Sequence, residues 1–368
     1  MVLVGSSQAL DSGWWPSLGL PEADVGQERS AADGCFRAGS ARMPLQDEMK
    51  KFLWIPGAGV DQAALERLCE HFHKPSEPMG EAWFMGDERQ MFPELLGDLD
   101  AVSAYDLQKP LIEIASGTSS FGPMREWHIW YHYLLGRLVP RSHEARVSYL
   151  LESLLTGFMA IYPNGVYHEP YSGFREDVLL TLGRSIMDSE CWNGSDIAIG
   201  NVLRRSNNNP RQVWIWWDAS GDLSASLFFC LKYLPESAIE AWLRSVLDIQ
   251  SPHWRAQVLV WLLGAHEILN GTVRWPSEFS MEARPYIGWE WSHCLRPELA
   301  GTDDSGSPPT EAFIAAENRA AALGMLRAYF TEDRFLEWMD GISSVYYLET
   351  ELQELPSAFE SIYVGGMT

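Results

Sequence analysis

The run from Pro252 to Gly271 constrains the fold more than any other stretch. Ser251 is a ready N-cap, Pro252 suits the first helical position, and Gly271 suits the residue just past the end. Between them apolar side chains run almost all the way round. The polar positions His253, Gln257 and Glu267 form one narrow stripe. A helix apolar on nearly every side is buried among other helices. The expectation is therefore a single helix over 252–270, with the rest of the chain wrapped around it.

The remaining segments read as further helices. Asp61 caps a helix over 61–73 that places Leu65, Leu68, Cys69 and Phe72 on one face. Weaker helical segments at 93–107 and 110–115 flank Pro110, and an aromatic-rich helix over 124–139 ends at Pro140. The run 142–162 is amphipathic, with Ser142, Arg146, Ser153, Thr156 and Gly157 in one narrow arc opposite Leu150, Leu151, Leu154, Leu155, Phe158 and Ile161. Segments 173–188 and 195–205 continue the pattern, and 213–217 reads equally as a short strand or a buried turn. Asp222 is expected to cap 223–234, Pro235 to open 236–249, Thr310 to cap 311–330 and Thr331 to cap the last clear helix. That helix sets Phe335, Trp338, Met339, Ile342, Val345 and Tyr346 at 3/4 spacing. Alternating strands with hairpin turns are absent from this reading.

The class is all-α. Helices joined by short Pro/Gly turns point to antiparallel pairs, in an α-solenoid-like or α/α-toroid arrangement around 252–270. No pattern recurs at a fixed period. Residues 1–42, rich in Gly, Ser, Ala and Asp, read as a disordered leader, with Met43 a natural alternative start. A helical core domain spans 43–297. An acidic helical segment, 298–368, is expected to pack on the same core.

Charge narrows the partners. The formal net charge is −23, and residues 298–368 hold 13 acids against 3 bases, while 141–297 hold 17 against 13. Such a surface repels phosphate backbones and anionic lipids, so neither nucleic acid nor membrane is the expected partner. A basic protein is. The only basic cluster, Arg204, Arg205 and Arg211 around three asparagines, reads as a loop. Five cysteines with no Cys-x-x-Cys pair argue against a disulfide framework and a thiolate zinc site, and fit reduced thiols in the cytoplasm. No run of apolar residues is long enough for a membrane span.

Three groups carry possible chemistry. His128 and His132 lie at i, i+4, but the pair lacks the intervening Glu of a zincin motif and a third ligand, so no metal or other cofactor is expected. On a continuous helix Arg255 and His266, eleven residues apart, point within about 20° of each other. A buried cation there needs a carboxylate or carbonyl opposite. Finally, tryptophans stand beside carboxylates: Trp216, Trp217 and Asp218 in one stretch, Trp289, Glu290 and Trp291 in another. Paired carboxylates with flat aromatic faces are what glycan-processing enzymes use.

Two functions follow. The first is a non-enzymatic cytoplasmic protein-binding module, an adaptor or an immunity-type antagonist of a basic protein. Its surface would be the acidic last block: Glu298, Asp303, Asp304, Glu332, Asp333, Glu337, Asp340, Glu349, Glu351 and Glu354. The alternative is a helical-toroid hydrolase or lyase with Glu290 and Asp218 as its carboxylates. Trp217, Trp289, Trp291, Arg255 and His266 are the candidate binding residues.

Overall fold

The computed structural model describes residues 50–80, 90–121, 125–143, 150–198, 220–280, 285, 287–301, 310–345 and 351–364. The leader and the 213–217 stretch lie outside them. Residues 43–368 form one compact unit, and the described part is mostly helical.

The α-helices in chain order are α1 (Gln62–His71), α2 (Ala104–Phe121), α3 (Arg125–Leu138), α4 (Leu150–Ile161) and α5 (Phe174–Leu180). Then come α6 (Gly221–Tyr233), α7 (Glu236–Leu247), α8 (Pro252–Gly264), α9 (His266–Asn270) and α10 (Glu298–Gly301). The last three are α11 (Ala316–Tyr329), α12 (Glu332–Ser343) and α13 (Glu351–Phe359), followed by a π-helical turn, Glu360–Val364. The only described strands are two antiparallel pairs of two residues each: Met79–Gly80 with Gln90–Met91, and Trp192–Asn193 with Asp196–Ile197. No described helix is long and apolar enough to cross a membrane.

Local chemistry sets many helix starts. The Asp61 carboxylate accepts from Ala64 N at 2.8 Å, Ser251 Oγ from Trp254 N at 3.3 Å, and Thr331 Oγ1 from Arg334 N at 3.3 Å. Each satisfies an amide that the first helical turn leaves open. Two expected caps act elsewhere. Asp222 lies inside the first turn of α6, after the N-cap Ser220, and its Oδ1 accepts from Glu152 N at 3.1 Å. Thr310 donates its backbone N–H to Asn164 Oδ1 at 3.0 Å, while the N-cap of α11 is Ala315, five residues later.

The helix expected over 252–270 is two helices. α8 is buried continuously from Trp254 to Leu262, but the chain breaks at Ala265 before α9 begins. A distant segment packs close beside this point. A Cβ on Gly264 would stand 3.0 Å from Pro285 O and 3.2 Å from Ile287 Cγ2. Pro285 and Ile287 thus lie close against the end of α8, where a larger residue would require them to shift.

The most completely buried helix is α4, in which every residue is buried. The small and polar residues expected as its outward arc are a contact face. Gly157 lets the Tyr131 ring approach, since a Cβ there would meet Cε2 at 2.9 Å. Thr156 Oγ1 donates to Glu152 O at 2.7 Å and accepts from Trp289 Nε1 at 2.9 Å. α4 is packed by α2 on one side and α6 on another. α2 runs straight through Pro110, where the sequence reading had placed a break. Pro110 is itself buried, and packing along α2 outweighs the roughly 3 kcal/mol an interior proline costs.

Candidate functional site

The C-terminal helices close over α8. On that side the Arg255 guanidinium, 3% exposed as a residue, donates through Nη2 to Gln250 Oε1 at 2.5 Å and to Glu337 Oε1 at 3.4 Å. The guanidinium carbon lies 5.3 Å from the Trp338 ring centroid, so the ring face adds a cation–π contact in a dry setting. Glu337, at 46% side-chain exposure, also accepts from Arg334 Nη1 at 2.9 Å. Hydrogen bonding to Arg334, then the charges of Arg334 and Arg255, hold its carboxyl below the usual range. Arg255 is thus an internal bridge between α8 and α12, with no side chain turned to solvent for a ligand.

Ala265, between the two helices, keeps a right-handed helical conformation, and His266 meets the same C-terminal layer as Arg255. Its ring lies edge-on to Tyr363 at 5.8 Å, its Nε2 is 3.1 Å from Asn270 Nδ2, and burial pushes its pKa down. Both residues contact the C-terminal segment.

The outer face of α12 is different. Glu332, Asp333 and Asp340 are exposed and lie three or four residues from Leu336, which is exposed too. Leu336 is 57% exposed, a large apolar side chain with carboxylates one turn before and after it. Glu298 is exposed as well. Asp303, Asp304 and Glu349 lie outside the described residues.

The tryptophan loop is built around two buried carboxylates, Glu152, which the sequence reading passed over, and Asp222, which it read only as a helix cap. Trp289 is fully buried. It stacks on Phe228 at 5.5 Å and 22° and donates to Thr156 Oγ1, so it is a core residue with no face left for a sugar ring. Glu290 is exposed and Trp291 half-buried. The backbone N–H of Trp291 donates to Oε1 of Glu152 at 3.2 Å. Glu152 is itself fully buried on α4. Gly221 makes room for this carboxylate, because a Cβ there would come within 2.0 Å of Glu152 Oε2 and 2.7 Å of Gly288 O. Asp222, 2% exposed, joins the cluster through Glu152 N. One signal for Glu152 was readable: it sits one turn before Thr156, on the arc that proved to be a contact face. Trp217 and Asp218 lie outside the described residues.

His132 packs among aromatics. Its ring stacks on Phe72 at 4.6 Å and its Nε2 lies 2.7 Å from Tyr162 Oη. Burial, with a smaller push from His128, brings its pKa down to about 3. Among the described residues no group of three or more His, Cys, Asp or Glu is placed to hold a metal ion. A comparison with family models, curated proteins and solved structures found no match for the chain.

Proposed function

We propose that this protein is a non-enzymatic, cytoplasmic helical module that binds a basic protein, as an adaptor or an immunity-type antagonist. In this reading the helices stack as antiparallel pairs in an α-solenoid-like arrangement, and the C-terminal acidic segment is the docking layer. The observation that carries it is the outer face of α12. Carboxylates at Glu332, Asp333 and Asp340 ring an exposed Leu336 on a helix whose inner face is anchored by Trp338 and Arg255. An apolar centre with a charged rim is how binding patches are commonly built, and a carboxylate rim favours cations and speeds their encounter.

The glycan reading loses support from the burial of Trp289, which removes one of its stacking platforms.

The test is retention of a basic protein from lysate on the immobilised chain, released as salt rises. The combined substitution Glu332→Lys, Asp333→Lys and Asp340→Lys should abolish retention, and Leu336→Ser should weaken it. Retention that ignores both the salt and these substitutions would count against α12 as the docking face.

A further inference from the structure

The last turn of α6 carries a lysine that faces inward. Lys232 Nζ donates to the carbonyls of Pro163 and Phe313, each at 2.7 Å, and lies 4.4 Å from the centre of the Phe313 ring. Nearby, Arg175 Nε donates to the carbonyl of Tyr233 at 2.9 Å, and its Nη2 to the same oxygen at 2.5 Å. Both side chains line one cavity of about 300 Å³, whose wall also holds Asn164 and Thr310. Among the described residues neither cation is hydrogen-bonded to a carboxylate. The other titratable groups on the wall are Tyr167, Tyr233, Glu236 and Glu317, and both glutamates are exposed.

Backbone carbonyls supply partial charge to a cation but no neutralising charge. Lys232 therefore has burial acting on it with no carboxylate to offset it, which is costly unless something brings a counter-charge, while burial of Arg175 is offset in part by the charge of Glu169. The two carbonyls account for two of the three Nζ positions. The third is open to a ligand, as a donor when the amine is protonated. Two helices also begin on this wall: α7 after Pro235 and α11 after Ala315, neither with a side-chain cap. Their first amides add positive potential on the same side.

We propose that this cavity binds a small oxyanion, the carboxylate or phosphate group of a small molecule, between Lys232 and Arg175. The volume is at the lower end of ligand pockets, which limits the occupant to a compact molecule. Arg175 Nη1 has no partner in the described structure and offers the edge that a planar or tetrahedral oxyanion takes. Burial brings the Lys232 pKa down to about 7, so the empty site is only partly charged at neutral pH. Binding an anion then draws in a proton.

Calorimetric titration of the full chain with sulfate and with lactate tests this, because the charge of each probe stays fixed between pH 6 and pH 8. At least one should bind, about tenfold more tightly at pH 6 than at pH 8, as expected for a site that must be protonated. Arg175→Gln should weaken binding by about tenfold or more. Lys232→Arg keeps the charge and the inward donor, so it should retain binding while losing the pH dependence. Which probe binds identifies the oxyanion as tetrahedral or planar. Failure of both probes to bind at about 10 mM, or a pH ratio unchanged in Lys232→Arg, would overturn the proposal.

Discussion

Arg255 and Lys232 are both cations carried inward on helices, and they end in opposite electrical surroundings. Arg255 meets a carboxylate, an amide oxygen and an indole face, all from the chain itself. Lys232 meets two carbonyl oxygens and aromatic rings, beside a cavity. The guanidinium is hard to deprotonate and suits a permanent bridge, whereas the ammonium gives up its proton when desolvated. The first arrangement closes a layer of the fold. The second leaves charge to be completed from outside.

The largest effect that sharpens this contrast comes from Lys232. Its folded pKa of about 7 lies below the ordinary 10.5. Between those values the unfolded chain holds more protons than the folded one, so the lysine makes folding more favourable as pH rises through that window. Measured against Lys232→Met in urea melts, the wild-type chain should gain roughly 4 kcal/mol from pH 7 to pH 10.5. A flat difference between the two proteins would mean that Lys232 remains charged and solvated, as an ordinary helix-end lysine does.

Next is Trp338, the fully buried ring that Arg255 lies against. Trp338→Ala removes the platform and leaves a cavity between α8 and α12, at an expected cost of about 3–5 kcal/mol. The same melts read it. A loss below about 1 kcal/mol would show that the C-terminal layer is loosely attached to α8.

How much of this was legible beforehand depended on range. Caps at Asp61, Ser251 and Thr331 were readable because the donor and acceptor are three residues apart. The inward set Phe335, Trp338 and Ile342 was readable from spacing alone. The close approach of Pro285 and Ile287 to Gly264, one residue before the interruption at Ala265, was not, because it brings together residues more than twenty apart in sequence. The arc Ser153, Thr156 and Gly157 looked solvent-facing because small and polar residues also make close helix contacts. At the candidate sites, the need of Arg255 for a partner could be inferred, but not that Glu337 would supply it from 82 residues away. Lys232 drew no notice, since a base in the last turn of a helix has an ordinary reading as a complement to the helix dipole.

A smaller effect separates the two ways of holding Arg255. Arg255→Lys keeps the positive charge but loses the planar face over Trp338 and the Nη2 that reaches both Gln250 and Glu337. The expected cost is about 1–2 kcal/mol at pH 7. If the lysine variant matches the wild type, charge alone is what the site requires, and Arg255 and Lys232 are more alike than their surroundings indicate.

The smallest effect belongs to Glu337, and it decides which partner matters to Arg255. Its carboxylate is exposed and shared with Arg334, and exposed ion pairs add little once water screens them. Glu337→Gln should therefore leave the urea midpoint at pH 7 nearly unchanged, and well above that of Arg255→Lys. The acid side gives a second reading. The folded carboxyl titrates below its ordinary value, first through Arg334 and then through Arg255. Its stabilisation is present above the unfolded pKa and fades as pH falls through the folded one. The glutamine variant should lack that slope, so its small deficit against the wild type is present above about pH 4.5 and closes below it. Were Glu337→Gln to cost more than Arg255→Lys at pH 7, the distant carboxylate would be the chief holder of Arg255. The bridge would then weaken with salt in step with the acidic face outside it.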